Sequence, residues 1–471
     1  MIKTQIQIFD TKSRSNQSIC ISNDKFLRVY GCGPTVYRDA HVGNMRTFLL
    51  ADLLIRLSKS LGYQVKFIQN ITDVGHMSED FAEDKMLAQA KLEAKDPFEV
   101  AKEYEARFHR DLNLLNIQPA DLYPKASESI ELMQELIQKL ISSNHAYIGE
   151  DNCVYFSAQS FSSYGAISGN KLDSLKPGHR YEYTEDGAKR FHADWALWKA
   201  AAGRTQMIWP SPWGPGFPGW HIECSAMSLK FLDNFVDLHL GGIDLRFPHH
   251  ENERAQSNSA INTSSTENEA VALWVHGEHL LFEGRKMSKS AGNVVLLSDL
   301  VAKGLDPLSL RVCLLENRYR SQMDLTWQAL TAANQLLERW RSKMSQWSTE
   351  TKVDKALVES NVNEIFADFC LDLDTPRAMQ KLREIEKNDQ ISDGTKSAIF
   401  IEVDQVIGLD LTRKPKPKAQ PSNEQTKLLE QRRIAREEKN FAESDQLRDL
   451  LKSQGIEVRD NPDGQSWSWL I

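Results

Sequence analysis

The stretch Tyr30-Gly-Cys-Gly-Pro-Thr-Val-Tyr-Arg-Asp-Ala-His-Val-Gly-Asn44 constrains the fold of this chain more than any other. A run with strand character precedes it (Phe26, Leu27, Val29, Tyr30). After it, Phe48, Leu49, Leu53, Leu54, Leu57 and Leu61 recur at helical spacing until Gly62, and a second strand-like run, Val65-Lys-Phe-Ile68, follows. Strand, glycine-rich loop, helix and strand make a βαβ unit, whose loop opens at the carboxyl end of a parallel sheet, where nucleotides bind. His41 stands at the helix entrance, where free N–H groups and the helix dipole attract phosphate. Cys32 lies in the same loop. One loop can therefore serve a metal and a nucleotide together.

The rest of the chain arranges itself around this unit. Asn70-Ile-Thr-Asp73 places polar residues just past the second strand, where a site would lie. Helical sequence then breaks at Asp96-Pro-Phe-Glu99, where Asp96 suits a cap, Pro97 the first turn and Glu99 the capping-box position. Ile130, Met133, Leu136, Ile137, Leu140 and Ile141 mark one apolar side of a further helix, suited to the core. From about Gly149 to Gly219 short strands, turns and aromatics take over, ending in a Pro/Gly-rich stretch from Trp209 to Trp220 that excludes helix. This reads as an insertion between two halves of a nucleotide-binding fold.

His221 to Phe231 then reads as helix, and Phe235 to Leu240 as a strand running into Gly241-Gly242-Ile243-Asp244. Pro248 precedes a polar helix with His249, Glu253 and Gln256. After Lys289 the pattern is mostly helical to Leu409, Leu411 to Ser422 is a Pro/Lys linker, and Glu424 to Ser453 is a charged helix pattern followed by a short tail with Trp467 and Trp469. The expected architecture is α/β: a Rossmann-type doubly wound parallel sheet, split by an inserted connective domain and followed by a C-terminal helical domain. Its segments are 1–120 and 220–300 for the two catalytic halves, 121–219 for the insertion, 301–410 for a helical domain, 411–423 for the linker and 424–471 for a helical C-terminal segment.

Composition narrows the function. The longest apolar run, around Phe48 to Leu57, contains Asp52 and Arg56 and falls short of a membrane span. Met1 to Phe9 alternates like a strand and lacks the apolar core of a signal peptide, so a cytoplasmic protein with no membrane partner is expected. Six cysteines are too few for a disulfide scaffold in a chain of 471 residues, which leaves reduced thiols or metal ligands. A net charge of −8 argues against a protein coated with base for nonspecific DNA binding, while leaving room for local basic patches on a folded RNA.

Two groups of residues carry chemistry. Cys32, Cys224, His249 and Glu253 each fall in a loop or helix start, and His249 and Glu253, four apart, share a helix face. Two thiolates, an imidazole and a carboxylate suit tetrahedral zinc; two buried free cysteines and a solvated His/Glu face account for the same residues. Lys286-Met-Ser-Lys-Ser290, flanked by Gly284 and Gly292, puts two ammonium groups on a glycine-hinged loop that can close over a polyphosphate, or is an exposed basic loop. Its occurrence together with His41-Val-Gly-Asn44, in this order around an insertion, favours phosphate.

His41-Val-Gly-Asn44 resembles the His-Ile-Gly-His motif of class I aminoacyl-tRNA synthetases, and Lys286 to Ser290 matches their Lys-Met-Ser-Lys-Ser motif. More specifically, Cys32-Gly-Pro-Thr-Val-Tyr37, Asn70-Ile-Thr-Asp73, Gly219-Trp-His-Ile-Glu-Cys-Ser-Ala-Met227 and Phe247-Pro-His-His-Glu-Asn-Glu253 resemble the cysteinyl-tRNA synthetase family, as do Gln431 to Asp449 and Gly455 to Asp460. The resemblance spans nearly the whole chain. Three positions depart from it: Asn44 replaces the second histidine, Val74-Gly-His-Met77 stands where further acidic residues are common, and no basic residue follows Trp467.

The resemblance implies an ATP-dependent ligase that makes cysteinyl-adenylate and then passes cysteine to the 3′ end of tRNA(Cys). It implies that His41 and Asn44 contact phosphates, that Lys286 and Lys289 neutralise the departing pyrophosphate, and that Gly43, Gly241, Gly242 and Asp244 join Lys289 in binding ATP, which enters with Mg2+. Thr72, Trp220 and His239 would line the cysteine pocket, although His239 equally suits a packed strand histidine. One zinc ion (Zn2+) per subunit would be held by Cys32, Cys224, His249 and Glu253, with the substrate sulfur as an added ligand. The helical region past about Asp306 and the segment beyond the linker would reach the anticodon. Arg432, Arg433 and Arg436 are candidates for RNA contact, while their neighbours Glu430, Glu437 and Glu438 fit a solvated helix face equally well. A monomer is expected. Two other readings compete: a related ligase giving activated cysteine to a small-molecule amine, against which the sequence past Asp306 counts, and an inactive paralogue, against which Lys286, Lys289 and His41 count.

Overall fold

The computed structural model describes residues 5–20, 26–75, 84–175, 188–261, 269–287, 292–347, 349, 352–414, 421–461 and 464–469. A hairpin of β1 (Gln7–Asp10) and β2 (Ser15–Ser18) leads into β3 (Phe26–Gly31), α1 (Val42–Ser60) and β4 (Gln64–Gln69), the βαβ unit expected from the sequence. Helix α1 starts where His41 and Asn44 cap each other reciprocally, His41 Nδ1 accepting from the Asn44 N–H at 3.3 Å and Asn44 Oδ1 from the His41 N–H at 3.1 Å. It stops before Gly62, whose φ of 86° suits glycine and strains other residues.

Helices α2 (Lys85–Glu93) and α3 (Pro97–Leu114) follow, the latter capped by the Asp96 carboxylate on the Phe98 N–H with Pro97 in its first turn. The chain then runs alongside β4, bridging Ile68 to Leu122 and Ile71 to Lys125 in parallel. After α4 (Ile130–Ser142), which buries Ile130, Met133, Ile137 and Leu140, comes an antiparallel sheet of β5 (Ala146–Ile148), β6 (Val154–Phe156), β7 (Trp195–Ala200) and β8 (Gly216–Pro218), where strands and aromatics were expected. The second half supplies α5 (Trp220–Phe231), β9 (Val236–Gly242), α6 (His249–Ala260) and β10 (Val271–Gly277). Strands β10, β9, β3 and β4 form one sheet in that order, every pairing parallel. Side chains alternate across β3: Leu27 and Val29 join Phe48, Leu53 and Leu57 of α1, whereas Tyr30 packs with Cys224 and Met227 of α5 on the other face.

Beyond the sheet, β11 (Leu280–Phe282) and β12 (Arg285–Lys286) form a hairpin, followed by α7 (Leu297–Ala302) and α8 (Leu308–Leu315). Then β13 (Met323–Leu325) pairs in parallel with β11, a strand inside a region expected to be helical. Its burial alternates, Met323 and Leu325 in and Asp324 out, which three residues do not reveal as a period. The bundle α9 (Trp327–Trp347), α10 (Lys355–Cys370), α11 (Thr375–Lys387) and α12 (Asp393–Ile407) shares one continuous apolar core with α1. Leu409 and Leu411 also belong to that core, and Asp404 accepts their N–H groups at 2.7 and 2.8 Å, so the linker does not begin at Leu411.

The C-terminal segment is not purely helical. After α13 (Asn423–Glu437) and α14 (Phe441–Ser453) the tail folds back as an antiparallel hairpin, β14 (Ile456–Asn461) and β15 (Gly464–Trp469). Leu429, Leu451, Ile456 and Val458 make its own small core. Arg432 is buried there, reaching both Asp460 oxygens at 2.9 and 3.0 Å and Gln465 Oε1 at 2.7 Å. It locks helix to hairpin inside the domain, which matches neither the RNA contact nor the solvated face that the sequence left open for it. Arg433 pairs with Glu430 and Glu437, and Arg436 with Asp460. No helix among the described residues is long and apolar enough to cross a membrane.

Candidate active site

Three elements bring the expected metal ligands together. Cys32 follows β3, Cys224 lies in α5, and His249 and Glu253 occupy successive turns of α6. All are buried, and their donor atoms lie within 4.8 Å of one another. His249 Nε2 is 2.8 Å from Glu253 Oε1, as the four-residue spacing requires. Both Glu253 oxygens are buried, yet neither accepts a well-aligned hydrogen bond from the described residues. A buried carboxylate left this way is costly unless a cation meets it. Two thiols and an imidazole facing it complete a donor set that fits a divalent metal ion.

Protonation of the metal-free cluster follows from its packing. The Cys224 thiol is pushed well up by its hydrogen bond with Cys32 and by burial. At Cys32 the bond with Cys224 pulls down, but burial and the Glu253 charge prevail and the thiol is also raised. Burial works against a charged His249, yet Glu253 and Cys224 outweigh it and lift the imidazole to about 10. Burial likewise opposes a charged Glu253, and the facing histidines hold it below the usual carboxylate range.

His239 and His250 form an overlapping set with Cys32 and Glu253. His250 Nε2 lies 3.2 Å from Cys32 Sγ, and its Nδ1 meets His276 Nε2 at 2.8 Å, whose Nδ1 in turn meets Thr11 Oγ1 at 2.7 Å. Sequence reasoning assigned nothing to His250 or His276. The only signal was a second histidine beside His249 on a helix that is polar yet wholly buried. His239 is packed within the sheet, as a buried strand histidine would be. It stacks on Trp274 (centroids 4.5 Å apart, 28°) and points Nε2 at Glu253 Oε2, 3.4 Å away.

Of the expected cysteine pocket, Thr72 is buried and donates to Glu223 Oε2 at 2.9 Å while accepting from Asn70 Nδ2 at 3.1 Å. Trp220 tilts over His249, ring centroids 4.3 Å apart. Asn70 Oδ1 accepts from the Gly33 N–H at 2.9 Å and from the Cys224 thiol at 3.7 Å, tying the Cys32 loop to α5. Gly33 is obligatory: an added Cβ would stand 1.6 Å from the Asn70 carbonyl oxygen.

The nucleotide side lies at the α1 entrance. Burial, helped by Arg38, lowers His41 to about 4, so near neutral pH it offers a hydrogen bond and no charge. Asn44 is exposed and spends its carbonyl on the cap, a duty asparagine performs well. The stretch with the expected lysine motif frames this entrance from both ends. Met287 Cε would be 2.9 Å from a Cβ on Gly43, and Val295 O accepts from the Val42 N–H at 2.9 Å. Lys286 is exposed on β12; Lys289 lies outside the described residues. Gly241 and Gly242 end β9, where a Cβ on Gly241 would strike the His250 ring at 2.5 Å, and exposed Asp244 follows in a short 3-10 turn.

Comparison with known proteins bears on the same residues. The family described as tRNA synthetases class I (C) catalytic domain matches residues 18–335, and the cysteinyl-tRNA ligase anticodon binding domain matches 421–467. A cysteine–tRNA ligase of Thermus thermophilus is 39% identical, with 98% of each chain covered. One of Treponema denticola is 36% identical over 94% of this chain and 95% of its own. Among solved structures, Mycobacterium tuberculosis methionyl-tRNA synthetase bound by methionyl-adenylate aligns with a TM-score of 0.55 at 16% identity, covering 86% of this chain and 94% of that one, a likeness of fold.

Proposed function

The chain belongs to the cysteine–tRNA ligase family, and on that premise we propose that it joins cysteine to ATP, releases pyrophosphate and passes the cysteinyl group to tRNA(Cys). The observation that carries this reading is the buried Cys32, Cys224, His249 and Glu253 cluster beside the capped entrance of α1. Activation needs no protein nucleophile, because the substrate carboxylate attacks the α-phosphorus; the protein positions the reactants and stabilises charge. Neutral His41, with Gly43 and Asn44 in the first turn of α1, faces phosphate, and Lys286 and Lys289 offset the charge of the leaving pyrophosphate. Gly241 and Gly242, at the end of β9, hold adenosine together with Asp244. ATP enters as its Mg2+ complex.

We assign the metal as one zinc ion per subunit. Bound zinc supplies a soft Lewis acid that takes a thiolate readily and an alcohol poorly. A hydrophobic pocket separates side chains differing by one small group by only about 1–3 kcal/mol, roughly 10- to 200-fold. Sulfur recognition therefore replaces what shape alone does not achieve against serine. Thr72, Trp220 and His239 shape the pocket around the substrate, and His221 Nδ1, 2.8 Å from His249 Nδ1, orients the imidazole. In the metal-free protein near neutral pH, Cys32, Cys224 and His249 each carry a proton that metal binding must displace. Zinc affinity should therefore rise with pH, and calorimetric titration in buffers of different ionisation enthalpy should register one proton from each of these groups. Release independent of pH and buffer would contradict this donor set.

The function is tested by ATP–pyrophosphate exchange: cysteine should support it and serine should not. If no amino acid stimulates exchange, the reading fails. Charging of tRNA(Cys) then separates it from a ligase with a small-molecule acceptor, against which the C-terminal anticodon-domain match already weighs. We keep 1–120 and 220–300 as the catalytic halves around the insertion, and assign a cytoplasmic monomer. A sedimentation mass near 53.7 kDa is the expected result, and twice that mass would refute the monomer.

A further inference from the structure

Arg46, one turn into α1, is buried and makes no ion pair with a carboxylate among the described residues. Its guanidinium instead donates to four backbone carbonyls: Nη1 to Glu278 at 2.8 Å and His279 at 2.7 Å, Nη2 to Arg318 at 3.0 Å and Ser321 at 2.6 Å. Burial lowers it to about 10, still far above physiological pH, so the charge is kept. A buried cation whose hydrogen bonds all go to peptide carbonyls, with the Glu278 charge as its further support, is an expensive arrangement.

Those carbonyls mark a particular place. His279 immediately precedes β11, and Ser321 stands two residues before β13, the strand paired with β11 in parallel from Leu280 opposite Met323. The Glu278 N–H also bonds the Tyr319 carbonyl at 2.8 Å. Arg46 thus grips the root of β11, which pairs with β12 and Lys286, and the root of β13 on the other side of β11, from the helix whose first residues we assign to phosphate.

We propose that Arg46 is a positioning residue, setting the lysine-bearing hairpin at its working height over the entrance of α1. The inference rests on the reading of this entrance as an ATP site. The fork suits the task because one planar group spans two strand roots at once; a lysine ammonium reaches fewer carbonyls and fixes no plane. Displacing a charged group by about 1 Å from its reacting partner costs on the order of 100-fold.

The test compares ATP with AMP. Both use the adenosine site, but only ATP presents the phosphates that Lys286 on the hairpin would meet. In Arg46→Lys, equilibrium binding of a non-hydrolysable ATP analogue should weaken by about 10- to 100-fold, with AMP affinity, zinc content and cysteine KM kept. An unchanged ratio of ATP-analogue to AMP affinity overturns the proposal, as does an equal loss of both. Should Arg46→Lys fail to fold, Arg320→Ala serves. Arg320 holds the same 318–321 segment from outside, through Asp372 at 2.8 and 2.6 Å. A smaller shift of the ratio in the same direction is expected there, and none would refute the role. Because the readout is nucleotide binding, it is independent of whether cysteine supports exchange in the wild type, so failure of this proposal and failure of the ligase reading remain distinct.

Discussion

Cys224→Ala is expected to yield protein without bound zinc and to depress cysteine-dependent pyrophosphate exchange by more than about 100-fold. That figure is the upper range for losing a group that merely supports a metal ligand, so losing a ligand itself should exceed it. The reason lies in the packing. Cys224 faces Cys32 and Glu253 at 2% exposure, where bulk solvent has little access to replace a missing thiolate. With the metal gone, Glu253 is left as a buried charge beside His249. Cys20→Ala, at an exposed thiol, should change neither metal content nor rate. Elemental analysis of both variants decides the matter: full zinc occupancy in Cys224→Ala would remove this residue from the site.

Asp52→Ala is expected to destabilise the protein by about 3–5 kcal/mol, the usual cost of removing one partner from a buried charge cluster. Asp52 lies inside α1 and accepts from Arg56 Nε at 2.8 Å, from Arg311 Nη2 at 2.5 Å and from the Gln118 N–H at 2.8 Å. Arg311, in α8, also donates to the Ile407 and Leu115 carbonyls, and Arg56 to those of Gln405 and Asn116. One carboxylate therefore pairs with two guanidinium groups that join the catalytic helix to the helical bundle. Removing it strands both in the core. Since about 1 kcal/mol moves the melting midpoint of a 150–250-residue unit by roughly 2–4 °C, a drop on the order of 10 °C should appear in a thermal melt. Arg433→Ala, whose partners Glu430 and Glu437 are solvent-exposed, should leave the midpoint unchanged. A midpoint unchanged in Asp52→Ala would show that the cluster contributes nothing net.

Much of the site was legible without coordinates. The α1 entrance at His41, the end of α1 before Gly62 and the His249/Glu253 face all rest on short-range rules of spacing, whereas the reciprocal cap of His41 and Asn44 appears only in the structure. Fold class followed from the strand–loop–helix–strand pattern for the same reason. The errors arose where tertiary partners decide. Met323-Asp-Leu325 is a strand because β11 offers it a ladder. Residues 456–461 and 464–469 pair because α13 and α14 present them with an apolar floor. Leu411 sits in the core although its neighbours read as linker, since Asp404 captures its N–H.

By itself, then, the order of residues determined the local conformations and the chemical inventory: which loops bend, where helices begin, and which thiols, imidazoles and lysines are on hand. Only the tertiary structure decided which of them meet. Arg432 and Arg433 are adjacent in sequence and alike in chemistry, yet one is buried on Asp460 and the other is solvated. Cys32 touches His250 across more than 200 positions, and Arg46 binds carbonyls no periodicity relates to it. Contacts of that kind are set by how sheet and helices pack as bodies, whereas sequence patterns report only on neighbours within a few turns or one strand.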